Sequence, residues 1–138
     1  MRPIRQFAGG VTLIELLVVI GIVGILGSIA YPAFIEQAAK GRRAQARTLI
    51  YDVLQHEERF YTENNTYTSN LTALGYPAVL QTDQNTHSIA LAVGPSGDIA
   101  TSVQITATAV VPDAHCATLS LTSTHAQTAT GTLPATCW

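Results

Sequence analysis

Beyond Arg59 the chain has neither lysine nor arginine. A region without cationic side chains offers no electrostatic footprint for a phosphate backbone, so nucleic acid is not expected as a partner of the C-terminal part. The few basic residues are concentrated in Lys40, Arg42, Arg43 and Arg47, which are better explained by a solvated helix face or a pairing surface. Cysteine is scarce as well. Cys116 and Cys137 form neither a CxxC pair nor part of a zinc-ligand cluster. The four histidines, His56, His87, His115 and His125, lack metal-binding spacing, and His56-Glu57 misses the second histidine of a zinc-protease helix. A Gly-rich phosphate loop and a G-x-S-x-G elbow are both missing. No catalytic residue, metal or cofactor is therefore expected, and the chain is not read as an enzyme.

The third scarcity is charge near the N-terminus. From Val11 to Ala30 the only ionisable residue is Glu15. Twenty apolar residues make a helix of ~30 Å, long enough to span a hydrocarbon core. Arg2 and Arg5 precede the run and set a positive-inside orientation, with the rest of the chain outside. An ordinary export signal fits less well, because its apolar run is roughly 7–15 residues and ends at a small-residue cleavage site. Here the run is longer, carries a carboxylate and closes on Tyr31-Pro32. An unpaired carboxylate at mid-bilayer costs ~2.5–3.5 kcal/mol, so Glu15 marks a functional position with a partner to be found.

The length leaves room for one small domain after this segment. Ala33 to Tyr61 is rich in helix formers and free of proline. Ala46, Leu49, Ile50, Val53, Phe60 and Tyr61 recur mainly at three- and four-residue steps and form one stripe. Arg43, Arg47, Asp52 and Glu58 are left for other faces. Gly21, Gly24, Gly27 and Gly41 each cost ~1 kcal/mol against alanine in a water-exposed helix, and Pro32 removes a donor. In a membrane helix, small residues also allow close packing. Glu63 to Gln84 reads as a connecting loop anchored by Tyr67, Leu71, Leu74 and Tyr76. Strands are expected at 88–93, 103–109 and 117–122, with a fourth short one around 127–130. An even pair of cysteines in a chain of exported character suggests a Cys116–Cys137 disulfide, two free buried thiols being the alternative. The expected fold is α+β: a long helix packed on a 3–4-stranded antiparallel sheet.

The string Gly10-Val11-Thr12-Leu13-Ile14-Glu15-Leu16-Leu17-Val18-Val19 resembles the class III signal of type IV pilins and pseudopilins, with Val11 standing where that family usually has phenylalanine. The order of helix, loop, sheet and cysteine-closed end is similar to the pilin fold. Gln55 to Tyr61, Leu74-Gly75-Tyr76-Pro77 and the Cys116 to Trp138 stretch look most like the PilE-type minor pilins. The resemblance implies a leader at 1–10, a transmembrane and assembly segment at 11–32, and a periplasmic or extracellular head at 33–138. It implies cleavage between Gly10 and Val11 by a prepilin peptidase, N-methylation of Val11, and a subunit-assembly role for Glu15. Helix flexibility at Gly24, Gly27 and Pro32 follows from the same likeness. The implied partners are other pilin subunits, the peptidase, the inner-membrane pilus assembly machinery and, before assembly, membrane lipid. The implied location is the inner membrane, crossed once, and then an extracellular fibre. The implied function is that of a minor pilin supporting pilus assembly, twitching motility and adhesion. A type II secretion pseudopilin and a major pilin are the alternatives.

Overall fold

The computed structural model describes residues 10–138, so the expected leader lies outside the described residues except for Gly10. One helix, α1, runs Leu13–Asn64. It starts where Thr12 supplies an N-cap: the Thr12 hydroxyl accepts the Glu15 backbone N–H at 3.3 Å. It ends where Asn65 turns left-handed (φ 54°) and its N–H closes on the Tyr61 carbonyl at 2.8 Å. Asparagine tolerates that conformation at a helix C-terminus, which is why the helix stops there.

The chain divides into two compact units between Gln37 and Ala38. In the first unit α1 is apolar on all sides, and its large side chains from Leu13 to Ile35 are exposed. The helix continues through Pro32 without a break. Proline cannot donate to the Ser28 carbonyl, and just before that gap the Ser28 hydroxyl donates to the Ile25 carbonyl at 2.7 Å.

The second unit holds the rest of α1 and a five-stranded antiparallel sheet in the order β1-β2-β3-β4-β5. The strands are β1 Leu80–Gln81, β2 His87–Val93, β3 Val103–Ala109, β4 Thr118–Thr122 and β5 Gln127–Thr130. Four of them match the expected segments. The fifth, β1, lies in the stretch read as a connecting loop and pairs Leu80 with Ile89 and Gln81 with Ser88. Two residues are too few to display a period, so the alternation test could not detect this strand. A 3-10 helix at Leu71–Leu74 occupies the same stretch and is capped by the Asn70 side chain.

Register decides which side chains meet α1. Ile89, Ala107 and Leu119 form one cross-strand row, and Ile105 with Leu121 form the next. These residues are buried together with Ala46, Ile50, Val53 and Leu54 of α1 and with Leu71, Leu74 and Leu80. The opposite face presents Ser88, Thr108, Thr118 and Thr130 in one row and Ala90, Thr106, Ser120 and Thr128 in another. Fully burying a Leu or Ile side chain is worth ~1.5–3 kcal/mol, so the inner face supplies the main stabilisation.

Candidate functional site

At the N-terminal end, the geometry is a cap and a surface. Thr12-Leu13-Ile14-Glu15 is the S/T-x-x-E pattern of a capping box, a signal that the sequence itself carries. Thr12 satisfies the Glu15 N–H, and the carboxylate stands in the first turn, where the helix dipole favours a negative charge. α1 is the one helix long and apolar enough to cross a membrane among the described residues, its most apolar window having a mean hydropathy of 2.6. No residue of that apolar window is buried. Val11 is 66% exposed and Phe34 is 72% exposed, so this surface is left for lipid or other chains to cover. A Cβ added at Gly21, Gly24 or Gly27 would meet nothing within 4 Å. Nothing inside the described chain demands glycine there.

The head contains a second feature that sequence reading misplaced. Arg43 does not lie on a solvated face. It is 2% exposed and grips Asp113 in a two-pronged pair, Nε to Oδ2 at 2.7 Å and Nη2 to Oδ1 at 2.9 Å. Asp113 also accepts the N–H groups of His115 (3.1 Å) and Cys116 (3.2 Å). The Arg43 hydrogen bond and these backbone donors hold the Asp113 carboxyl below the usual aspartate range. Glu57 is likewise on the inner stripe, fully buried, with one oxygen accepting the Thr68 N–H at 3.1 Å. Its Oε1 has no partner among the described residues, and burial pushes its pKa up to about 7. The signal for both lies in the spacing: residues 43, 46, 50, 53 and 57 keep the three- and four-residue steps of the inner stripe.

Asp113 positions the segment that carries Cys116. Cys116 and Cys137 are joined, with Cα atoms 5.7 Å apart, and both are buried in the core. Gly131 makes the closure possible. Its φ is +142°, and a Cβ there would collide with the His115 carbonyl, which accepts the Leu133 N–H. Trp138 then lies along β5, its indole N–H donating to the Thr128 carbonyl at 2.8 Å and its ring meeting Tyr51 edge-on. The loop anchors behave as expected: Leu71 and Leu74 are buried, Tyr67 donates to Glu58 and Tyr76 donates to Asp52. His87 is buried and hydrogen-bonded through Nδ1 to Thr86, and burial pulls its pKa down.

Two family models match these parts separately. The prokaryotic N-terminal methylation motif covers residues 5–31. The model described as type IV minor pilin ComP, DNA uptake sequence receptor, covers residues 32–120, more than half of the chain. The chain belongs to the type IV pilin family. Fimbrial protein EcpC of Eikenella corrodens is 28% identical over 106 residues, 77% of this chain and 69% of that protein. The type IV major pilin protein PilA of Myxococcus xanthus is 34% identical over 67 residues, 49% of this chain and 30% of its own length. The type IV wide pilus major component PilA4 of Thermus thermophilus is 36% identical over 67 residues, 49% of this chain and 51% of its own. The chain thus spans about a third to two thirds of the length of these relatives.

Proposed function

We propose that this pilin is a structural subunit of a type IV pilus, made as a single-pass inner-membrane precursor and then transferred into an extracellular fibre. The observation that carries the reading is the wholly exposed apolar helix surface that begins at a capped carboxylate and leads to a disulfide-closed head. A prepilin peptidase cuts between Gly10 and Val11 and N-methylates Val11. A side chain at Gly10 would crowd the scissile peptide. In the fibre, lipid around residues 11–32 is replaced by the same segment of neighbouring subunits, and the assembly machinery drives the exchange. Glu15 supplies register: its carboxylate meets the methylated amine of an adjacent subunit, so its burial is offset only when the stagger is right. Gly24, Gly27 and Pro32 are the places where the helix yields during packing. The part played is that of a minor pilin supporting assembly, twitching motility and adhesion. The secretion-pseudopilin alternative shares this chemistry up to the fibre.

The test is Glu15→Ala as the sole copy in the native host. The variant is expected to insert and be cleaved, with intact mass showing an N-methylated valine, but to fall at least about tenfold in sheared fibres. Losing the carboxylate favours the lipid pool by up to ~3 kcal/mol and removes the amine's partner. Wild-type amounts in fibres would remove Glu15 from the mechanism. A mature N-terminus beyond Val11 would overturn the processing step.

A second reading is favoured by the description of the matched family, which names a DNA uptake sequence receptor. On this chain a duplex would have to be held by Lys40, Arg42, Arg47 and Arg59, all on α1, since the sheet and its loops carry no cation. Four phosphate contacts would give a salt slope of about −3.6 in log K against log salt. Mobility-shift titration over a salt series separates the readings. Binding with that slope supports a receptor, and no binding at low salt supports a purely structural subunit.

A further inference from the structure

Packing of α1 on the sheet leaves a groove of about 390 Å³ between the helix and the β1 edge. Leu49 and Leu80 line it together with Gln45, Thr48, Asp52 and Asp83. Asp52 gives Oδ2 to the Tyr76 hydroxyl at 2.6 Å, and Asp83, exposed in the turn before β2, has no hydrogen-bond or ionic partner among the described residues. The groove is therefore an open, amphipathic slot with one unengaged carboxylate, Asp83, at its rim.

The other edge of the sheet has the opposite character. Tyr51 reaches that edge, accepting the Gln127 amide N–H at 2.8 Å and touching Trp138. Lys40 and Arg47 lie eleven and four residues before Tyr51, close to whole turns, and so share its helix face. Neither has a carboxylate partner among the described residues. Glu58, further along that face, is already engaged by Tyr67. One head thus carries an unpaired cationic flank on the Tyr51 face of α1 and one unpaired carboxylate, Asp83, in the groove at the β1 edge.

We propose that the groove receives the Lys40 and Arg47 flank of a second copy of this chain. Two different, complementary patches on one molecule make a heterologous contact, and such contacts propagate as open helical arrays rather than closing into dimers. A long aliphatic stem with a cationic tip also matches the slot, its methylenes over Leu49 and Leu80 and its charge at Asp83. The proposal rests on the fibre reading above with copies of this chain as neighbours, the case of a major subunit, and adds an interface to it.

The experiment places Asp83→Lys in the native host as the sole copy and measures the chain in sheared fibres against the membrane pool. Asp83 is in an exposed turn, so folding is checked by formation of the Cys116–Cys137 bond and by an unchanged melting temperature in detergent. The fibre fraction is expected to drop about fivefold, and Asp83→Asn to give a smaller drop. Adding Lys40→Glu and Arg47→Glu to Asp83→Lys restores it. An Arg47→Cys, Asp83→Cys chain, oxidised in place, yields intermolecular cross-linked multimers. Wild-type incorporation of Asp83→Lys, or failure of the charge swap to restore it, overturns the proposal while leaving the fibre reading intact. Absence of the unmutated chain from fibres overturns both.

Discussion

Asp113→Ala should be among the most damaging single changes in the head outside the apolar core. The Arg43 guanidinium is 2% exposed at the residue level, and removing Asp113 leaves it buried without its two-pronged partner. Breaking a buried pair from one side costs ~3–5 kcal/mol, mostly as the penalty on the abandoned charge. Two backbone donors, the N–H groups of His115 and Cys116, lose their acceptor at the same time. At ~4–8 °C per kcal/mol for a domain of this size, the melting temperature should fall by at least about 12 °C. Asp113→Asn keeps an acceptor for the backbone and should cost less. Arg43→Met combined with Asp113→Asn should cost less than the two single losses added, because the two charges that answer each other leave together. The sign against pH follows from the depressed carboxyl. The pair contributes fully above the ordinary aspartate value of 3.8, and that contribution is lost as the pH falls through the lowered folded-state value. Thermal unfolding of the detergent-solubilised full chain, followed by near-UV circular dichroism, provides the measurement. A change under ~1 kcal/mol for Asp113→Ala would refute the reasoning, as would strict additivity in the double variant.

Glu57 behaves in the opposite sense. Its folded pKa is raised from 4.5 to about 7, so the folded head binds a proton that the unfolded chain releases, and stability falls as the pH rises from 4.5 through 7. Glu57→Gln should flatten that decline and stabilise the head at pH 8 by up to ~3 kcal/mol; denaturant melts of both proteins at pH 5 and 8 check it, and parallel pH profiles would refute the buried-acid account. Cys137→Ser opens a loop whose ends are 21 residues apart and should cost roughly 3 kcal/mol in the chain-entropy model. Scanning calorimetry of the full chain checks this, and an unchanged melting temperature would make the bond irrelevant to stability.

What could be read from the chain and what could not divide along a physical line. Long periodic signals were legible: the apolar run of α1, the alternation of β2, β3 and β4, and the pairing of two cysteines. β1 was not, because two residues have no period and pair only once β2 offers its edge at Ile89 and Ser88. Arg43 and Glu57 were assigned to the wrong environment, or to none, because residue type is a local property and burial is not. Their spacing matches the inner stripe, and what admits Arg43 there is Asp113, which answers its charge from 70 residues away in sequence.

The same line separates the two ends of the candidate site. Glu15 has its local needs met within one helical turn, by Thr12 and the dipole, so the sequence alone marks it. Local satisfaction explains why the carboxylate can sit at a helix start. It does not explain why an apolar surface extends from Leu13 to Ile35 with nothing of the described chain over it. Large exposed apolar surface is stable only against lipid or another such surface. A carboxylate at its edge penalises lipid and favours any arrangement that brings a cation to it. In the fibre proposed above, the two features, opposed while the chain is alone in a bilayer, agree in an assembly of staggered copies. On that proposal, the reversal is the subunit's reason to leave the membrane.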